Sequence, residues 1–207
     1  VAEFKARLRR AGLHRGRLLD LGCGRGRNSL PFLRSGWTVC GLDVAPAALK
    51  DFRRAGRGLP GRLELLRHDL AEPLPFLDSH FDAVQEITAA DNLTRGTRRR
   101  RFWSEIARVL KPGGYFLTYH FLPQDGYYGP LLRKTRDPGR GRLYDPEAHM
   151  WFQFYSMEEI RGAAGNRLRL QSLKEYRYPG PMFGSTYRRV LQAAVWRRSG
   201  KNGGTRP

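Results

Sequence analysis

Short apolar runs alternating with amphipathic stretches predict an α/β fold, a mostly parallel sheet with helices on both of its faces. Two features sharpen that reading. The run Leu18-Leu19-Asp20-Leu21-Gly22-Cys23-Gly24-Arg25-Gly26 is an apolar strand ending in glycines that open a helix. The alternation then continues in step, with strands expected at Arg17–Leu21, Thr38–Asp43, Leu63–His68, Ala83–Glu86 and Tyr115–Phe121 and helices at Asn28–Ser35, Pro46–Arg54 and Arg98–Leu110. At 207 residues the chain suits one substantial core, so 1–198 is read as a single domain and 199–207 as a flexible polar tail.

Each element has a local cause. The stretch Val1 to Leu8 mixes charges with apolar positions and predicts a short amphipathic helix, without the uninterrupted apolar centre of a signal peptide. The sequence opens on Val, so a segment ahead of Val1 would not be visible in it. Gly36 punctuates the end of the first crossover helix and Pro46 the start of the second. Residues 57–61 read as a turn. After Phe121 the pattern breaks, and 122–155 is rich in Gly, Pro, aromatic and basic residues. A long aperiodic stretch in a compact domain usually has a job, and this one follows the fifth strand on the side where α/β proteins collect ligands. It is read as a substrate cover inserted in the domain. Ser156 with Glu159 three residues on is a capping box that restarts a helix. Two extended segments, Leu168–Tyr176 and Thr186–Trp196, follow, separated by Pro179 to Gly184.

The glycine turn points to a nucleotide-like cofactor. Glycines at 22, 24 and 26 let the backbone turn sharply and let a ligand lie against main-chain N–H groups at a helix N-terminus. The next apolar run, Trp37 to Leu42, stops at Asp43, placed to accept both hydroxyls of a ribose. Dinucleotides and S-adenosylmethionine share these parts. Here the glycines run G-x-G-x-G rather than G-x-G-x-x-G, and Asp20 precedes the first of them. An acid there repels pyrophosphate and suits an amino-acid moiety carrying an ammonium group.

At this point the chain resembles the class I S-adenosylmethionine-dependent methyltransferases over roughly residues 15–121. Three further blocks carry the resemblance: Arg67-His68-Asp69-Leu70, Phe81-Asp82-Ala83-Val84-Gln85-Glu86, and Glu105 to Gly114 with its Lys-Pro-Gly-Gly turn. The resemblance implies a Rossmann-like, seven-stranded, mostly parallel sheet whose last strand runs antiparallel between the fifth and sixth. It implies S-adenosyl-L-methionine as cofactor, with S-adenosyl-L-homocysteine as product. The cofactor site it implies comprises Asp20, Gly22, Cys23, Gly24, Gly26, Asn28, Asp43, Val44, Asp69, Leu70 and Glu86. Within it Asp69 takes the adenine amino group and Leu70 the ring through its N–H. Asp91 and Asn92 depart from the small or His-containing segment usual after the fourth strand, so no acceptor subfamily is implied.

Methyl transfer needs water excluded, the nucleophile held in line and, for some acceptors, a proton removed. A dedicated base is not required. The candidates are Glu86, which the family pattern also lets contact cofactor through its backbone, His120, which reads equally as a hydrogen-bonded core histidine, and His149 in the aromatic segment. Tyr119, Tyr127, Tyr128, Trp151, Phe152, Phe154 and Tyr155 suit an acceptor pocket, a stacked nucleobase or a small satellite core.

Composition frames the partners. The net charge of +19 favours an anionic partner, yet Lys supplies only six of the 38 basic residues, a skew that base composition alone produces. Arg98 to Arg101 is the one basic run, and it opens a predicted helix, where cations oppose the macrodipole. No apolar run approaches the roughly 20 residues that span a bilayer, and no membrane partner is expected. Cys23 and Cys40 read as buried thiols in a reducing cytoplasm, and the scattered His and Cys match no metal site. The leading expectation is methyl transfer to an O or N atom of a small molecule, with RNA or tRNA as the alternative acceptor. A non-catalytic cofactor-binding module and a dinucleotide oxidoreductase complete the field.

Overall fold

In the computed structural model, which describes residues 1–200, the chain runs α1 (Ala2–Arg10), β1 (Arg17–Leu21), α2 (Leu30–Leu33), β2 (Thr38–Asp43), α3 (Pro46–Gly56), β3 (Leu63–Arg67), β4 (Phe81–Ile87), α4 (Gly96–Val109) and β5 (Leu110–Phe121). There follow α5 (Tyr128–Arg133), β6 (Arg142–Asp145), β7 (Met150–Gln153), α6 (Met157–Ala164), β8 (Leu168–Met182) and β9 (Ser185–Arg198). Most of the expected tail, 201–207, lies outside the described residues.

Seven strands form one sheet in the order β3-β2-β1-β4-β5-β9-β8. β1 pairs parallel with β2 and β4, β2 with β3, and β4 with β5, while β9 is antiparallel to both β5 and β8. The sheet is therefore the mostly parallel one the resemblance implies, with β9 inserted between β5 and β8. Side chains alternate across it. Leu18, Val39, Ala83 and Leu117 face α1, α2 and α3 through Phe4, Phe32 and Phe52. Leu19, Leu42, Val84 and Phe116 face α4 and α6 through Trp103, Ile106 and Ile160.

Three departures from the sequence reading have physical causes. The Lys-Pro-Gly-Gly segment bulges out within β5. Leu110 pairs with Phe81 and Tyr115 with Ala83, and Gly113 takes φ +79° to close the bulge. The Pro179 to Pro181 stretch, expected to separate two strands, continues β8 in register against Arg188, Tyr187 and Thr186, with the turn delayed to Phe183-Gly184. Proline is tolerated there because β8 is an edge strand. Finally, the cover is not structureless: it holds α5, a 3-10 turn at Pro138–Arg140 and the β6–β7 hairpin.

That insertion has its own core. Tyr127, Tyr128, Leu132, Leu143, Phe152 and Phe154 bury one another, with Tyr128 and Phe152 stacked at 4.0 Å. Buried Asp125 fastens it to β9. One carboxylate oxygen accepts the N–H groups of Tyr127 and Tyr128, and the other accepts Arg189 Nε at 2.9 Å and the Val190 N–H at 3.0 Å. Arg189 in turn lies over the Phe121 ring at 4.4 Å. Tyr127 also donates to buried Asp145 at 2.7 Å, closing α5 against the hairpin.

Candidate functional site

Parallel pairing sets Leu21 beside Leu42 and Glu86, and Asp43 beside Arg67. The chain thus emerges from β1, β2, β3 and β4 along one carboxyl edge, where α/β ligands bind. The three turn glycines serve different ends there. A Cβ on Gly26 would stand 2.0 Å from the Phe52 ring, and one on Gly22 would stand 2.2 Å from Ala89 Cβ, so both are small because neighbours press on them. Gly24, at φ +51°, has nothing within 4 Å where its Cβ would stand. Its openness is what a cofactor cradle needs.

Asp43 braces this turn. One oxygen accepts the Gly24 N–H at 2.8 Å and the other the Ala45 N–H at 2.9 Å, leaving further lone pairs on each for a ligand. The N–H groups of Gly22 and Cys23 both bond the Leu42 carbonyl at 2.9 Å. Asp20 lies behind the loop, 3% exposed, and accepts Ser29 Oγ at 2.7 Å; Gln85 donates to the same hydroxyl. Burial pushes its carboxyl up to about 6. Asn28 is half-buried and Val44 exposed. Asp69 is exposed just past β3, with one oxygen accepting the Ala71 N–H at 2.8 Å. Leu70 is buried beside Gly22.

A second group of polar side chains is buried at the ends of β4 and β5. Glu86, fully buried, accepts the Ala90 N–H at 2.9 Å, Thr118 Oγ1 at 2.6 Å and Tyr155 Oη at 3.2 Å. Burial lifts its carboxyl to about 7, against the partial opposition of those hydrogen bonds. The carboxylate therefore ties the turn after β4 to β5 and to Tyr155. Next to it Thr88, β-branched, sits at φ +60° with its N–H on the Tyr119 carbonyl, a strained backbone at a strand end. Asp91 is fully buried with neither oxygen hydrogen-bonded, and burial first, then the charge of Glu86, holds its carboxyl well above the usual range. His120, 1% exposed, has both ring nitrogens unpartnered and lies against Tyr155, the rings tilted by 37° with centroids 4.5 Å apart. Burial pushes it down to about 4, so the imidazole is neutral at pH 7.

Residues 19–118 match the model of the methyltransferase-domain family. That stretch, just under half of the chain, carries a methyltransferase domain. It is 39% identical over 100 residues to an uncharacterized methyltransferase of Synechocystis, covering 48% of this chain and 44% of that one. It is 31% identical over 163 residues to a sterol 24-C-methyltransferase of Gibberella zeae, covering 76% of this chain and 41% of that one. The chain spans less than half the length of the curated relatives it matches. In fold it is similar to a crystal structure of a SAM-dependent methyltransferase from Methanosarcina mazei, with TM-score 0.74 and 22% identity over 91% of this chain and 94% of that one.

Within this domain Glu86 and His120 both meet Tyr155, whereas the third candidate base stands apart. His149 is exposed in the turn of the β6–β7 hairpin, at φ +51°, and makes none of the contacts that join Glu86, Thr118 and Tyr155. Asp91 enters the site without having been singled out as a site residue, while Tyr155, one of the aromatics read as suiting an acceptor pocket, bonds Glu86. The sequence signal for Asp91 was an acid in the short stretch Ile87 to Leu93, where Thr88 and Asn92 are also polar. The basic run of α4 is likewise divided by helical periodicity. Arg99 is buried, paired with Glu159 of α6 and bonded to the Leu93 carbonyl, while Arg98 faces Glu72 at 3.9 Å. Half of that run is thus engaged within the fold.

Proposed function

We propose that the chain transfers the methyl group of S-adenosyl-L-methionine to an O or N atom of a small-molecule acceptor. One observation carries the cofactor part: Gly24, with a positive φ and room where a side chain would stand, beside a carboxylate that spans the turn. The residues fit the cofactor. The open turn at Gly24 would cradle it by its space rather than by the N–H groups of Gly22, Cys23 and Gly24, which are taken by Leu42 and Asp43; Asp43 would take the sugar hydroxyls, and Asp69 with Leu70 the base, with the end of β4 toward the reacting group. When bound, S-adenosylmethionine supplies an electrophilic methyl on a sulfonium.

The chain's own part is positioning and dryness. Residues 122–155 act as a built-in cover of the single domain, anchored through Asp125 rather than hung on a free loop. Glu86 is a positioning residue, because its oxygens are engaged by Ala90, Thr118 and Tyr155. His120 has both ring nitrogens unpartnered, yet burial that holds it down to about 4 makes it a weak base, so positioning rather than proton removal carries the reaction. The two free buried thiols support work in a reducing cytoplasm. Among the described residues no helix is long and apolar enough to cross a membrane.

Calorimetric titration with S-adenosylhomocysteine and with a reduced nicotinamide cofactor tests the first step. Binding of the former alone supports the reading, and the reverse overturns it. Mass spectrometry of cell extracts incubated with labelled S-adenosylmethionine then identifies the methylated product. A labelled macromolecule in place of a small compound would favour the second reading, an RNA acceptor, for which the net charge of +19 argues.

A further inference from the structure

The β6–β7 hairpin carries an outer face that the methyl-transfer reading does not use. Its inner face is core: Leu143 and Phe152 are buried, as is Asp145. Its outer face should be polar, yet Trp151 is 49% exposed and Tyr144 45% exposed, the two rings meeting edge to face at 5.6 Å across the strand pair. Arg142 covers one part of Trp151, its guanidinium 4.3 Å from the ring centroid. Beside them opens a cleft of about 590 Å³ whose lining includes Lys134, Arg136, Arg140 and Arg142. Its one acid, Asp137, is ion-paired with Arg140 at 2.9 Å, and among the described residues Lys134, Arg136 and Arg142 have no acidic partner.

We propose that this cleft is a docking site for single-stranded nucleic acid, one base stacking on Trp151 beside the edge-on Tyr144 while the cations meet successive phosphates. Charge complementarity selects this occupant. The cations come from the end of α5, the 3-10 turn and β6, more charge and more spread than one phosphate requires, on a chain of net charge +19. Aromatic platforms flanked by cations are how strands are bound without sequence readout, because every base has a π-face. The site goes beyond the methyl-transfer reading, and binding measured without any methyl donor keeps the two independent.

The chain supplies its own probe. Trp37, Trp103 and Trp196 are at most 1% exposed, so Trp151 alone is open to a quencher in water. A mixed-sequence oligoribonucleotide should quench Trp151 emission and shield it from acrylamide, with affinity falling linearly in log–log terms against salt. Trp151→Ala should weaken binding about tenfold or more and leave the salt slope unchanged. Arg142→Ala should reduce the slope by about 0.7, the value of one single-strand phosphate contact. Both side chains are on the surface, and thermal melts matching the wild type confirm that the variants are folded. The proposal is overturned if the oligonucleotide leaves Trp151 emission unmoved. It also fails if Trp151→Ala binds as tightly as the wild type, which means ion exchange only, or if a mononucleotide binds and the strand does not.

Discussion

Replacing Glu86 by glutamine should make the protein more stable above neutral pH and no more stable in mild acid. The side chain is fully buried, and its carboxyl titrates at about 7 rather than near 4.5. Between those values the folded protein keeps a proton that the unfolded chain has released, so this group's contribution is complete below about pH 4.5 and is lost as pH rises through about 7. The gap corresponds to roughly 3 kcal/mol as an upper bound. Glutamine preserves the shape. Its carbonyl still accepts the Ala90 N–H, and its amide donates to Thr118 and Tyr155 once those hydroxyls rotate. Alanine is the wrong probe, because it opens a cavity and strands three donors at every pH. Urea unfolding of wild type and Glu86→Gln from about pH 4.5 to about pH 8 should show midpoints that separate by up to about 1 M, the variant gaining as pH rises. His120, held near 4, loses stability in the opposite sense as pH falls below its ordinary 6.5, and Asp20 titrates near 6; both occur in both proteins and cancel in the difference. Asp91, relieved of the charge of Glu86, adds to the gain. A difference that stays flat across the range would show that Glu86 is not the buried, proton-holding group described here.

Asp43→Ala should weaken S-adenosylhomocysteine binding by on the order of 1–3 kcal/mol by calorimetry, the cost of a charge-assisted bond, with Asp43→Asn falling between. Gly26→Ala, whose methyl would meet the Phe52 ring, should cost several kcal/mol in thermal or urea unfolding. Gly24→Ala, with free space but positive φ, should cost only about 1 kcal/mol of stability while weakening the same ligand, so equal losses in both variants would sink the cradle argument. Arg99→Ala strips Glu159 of its partner across α4 and α6 and should destabilise by roughly 3 kcal/mol; a double-mutant cycle with Glu159→Ala should return less than the sum.

The sheet was legible because its central strands β1, β2 and β4 are buried on both faces and its punctuation is local: Pro46, Gly36 and the Ser156 cap act within a turn of where they stand. The glycine turn was legible for the same reason, since glycines 22, 24 and 26 and Asp43 all mark strand ends. The cover was not. Its strands have four residues each, and α5 contains Gly129 and Pro130, too little for a period to register. What orders it is the pairing of Asp125 with Arg189 across 64 positions, and of Tyr127 with Asp145, which no local pattern encodes. Glu86 and Asp20 stand out in sequence as acids in apolar strands, yet only the structure shows them turned inward onto Thr118 and Ser29.

The Pro179-Gly180-Pro181 run in β8 has a consequence for the molecule in a crowded solution. An outermost strand fifteen residues long offers a template on which a second chain can grow. Two imino acids spaced two apart lie on one side of the ladder and remove donors from it, while charged side chains stand along the same margin, Arg169 together with Lys174 and Arg177 in their ion pairs to Glu3 and Glu175. Self-templated aggregation along this border is therefore discouraged, and substituting both prolines with valine is the change that would invite it.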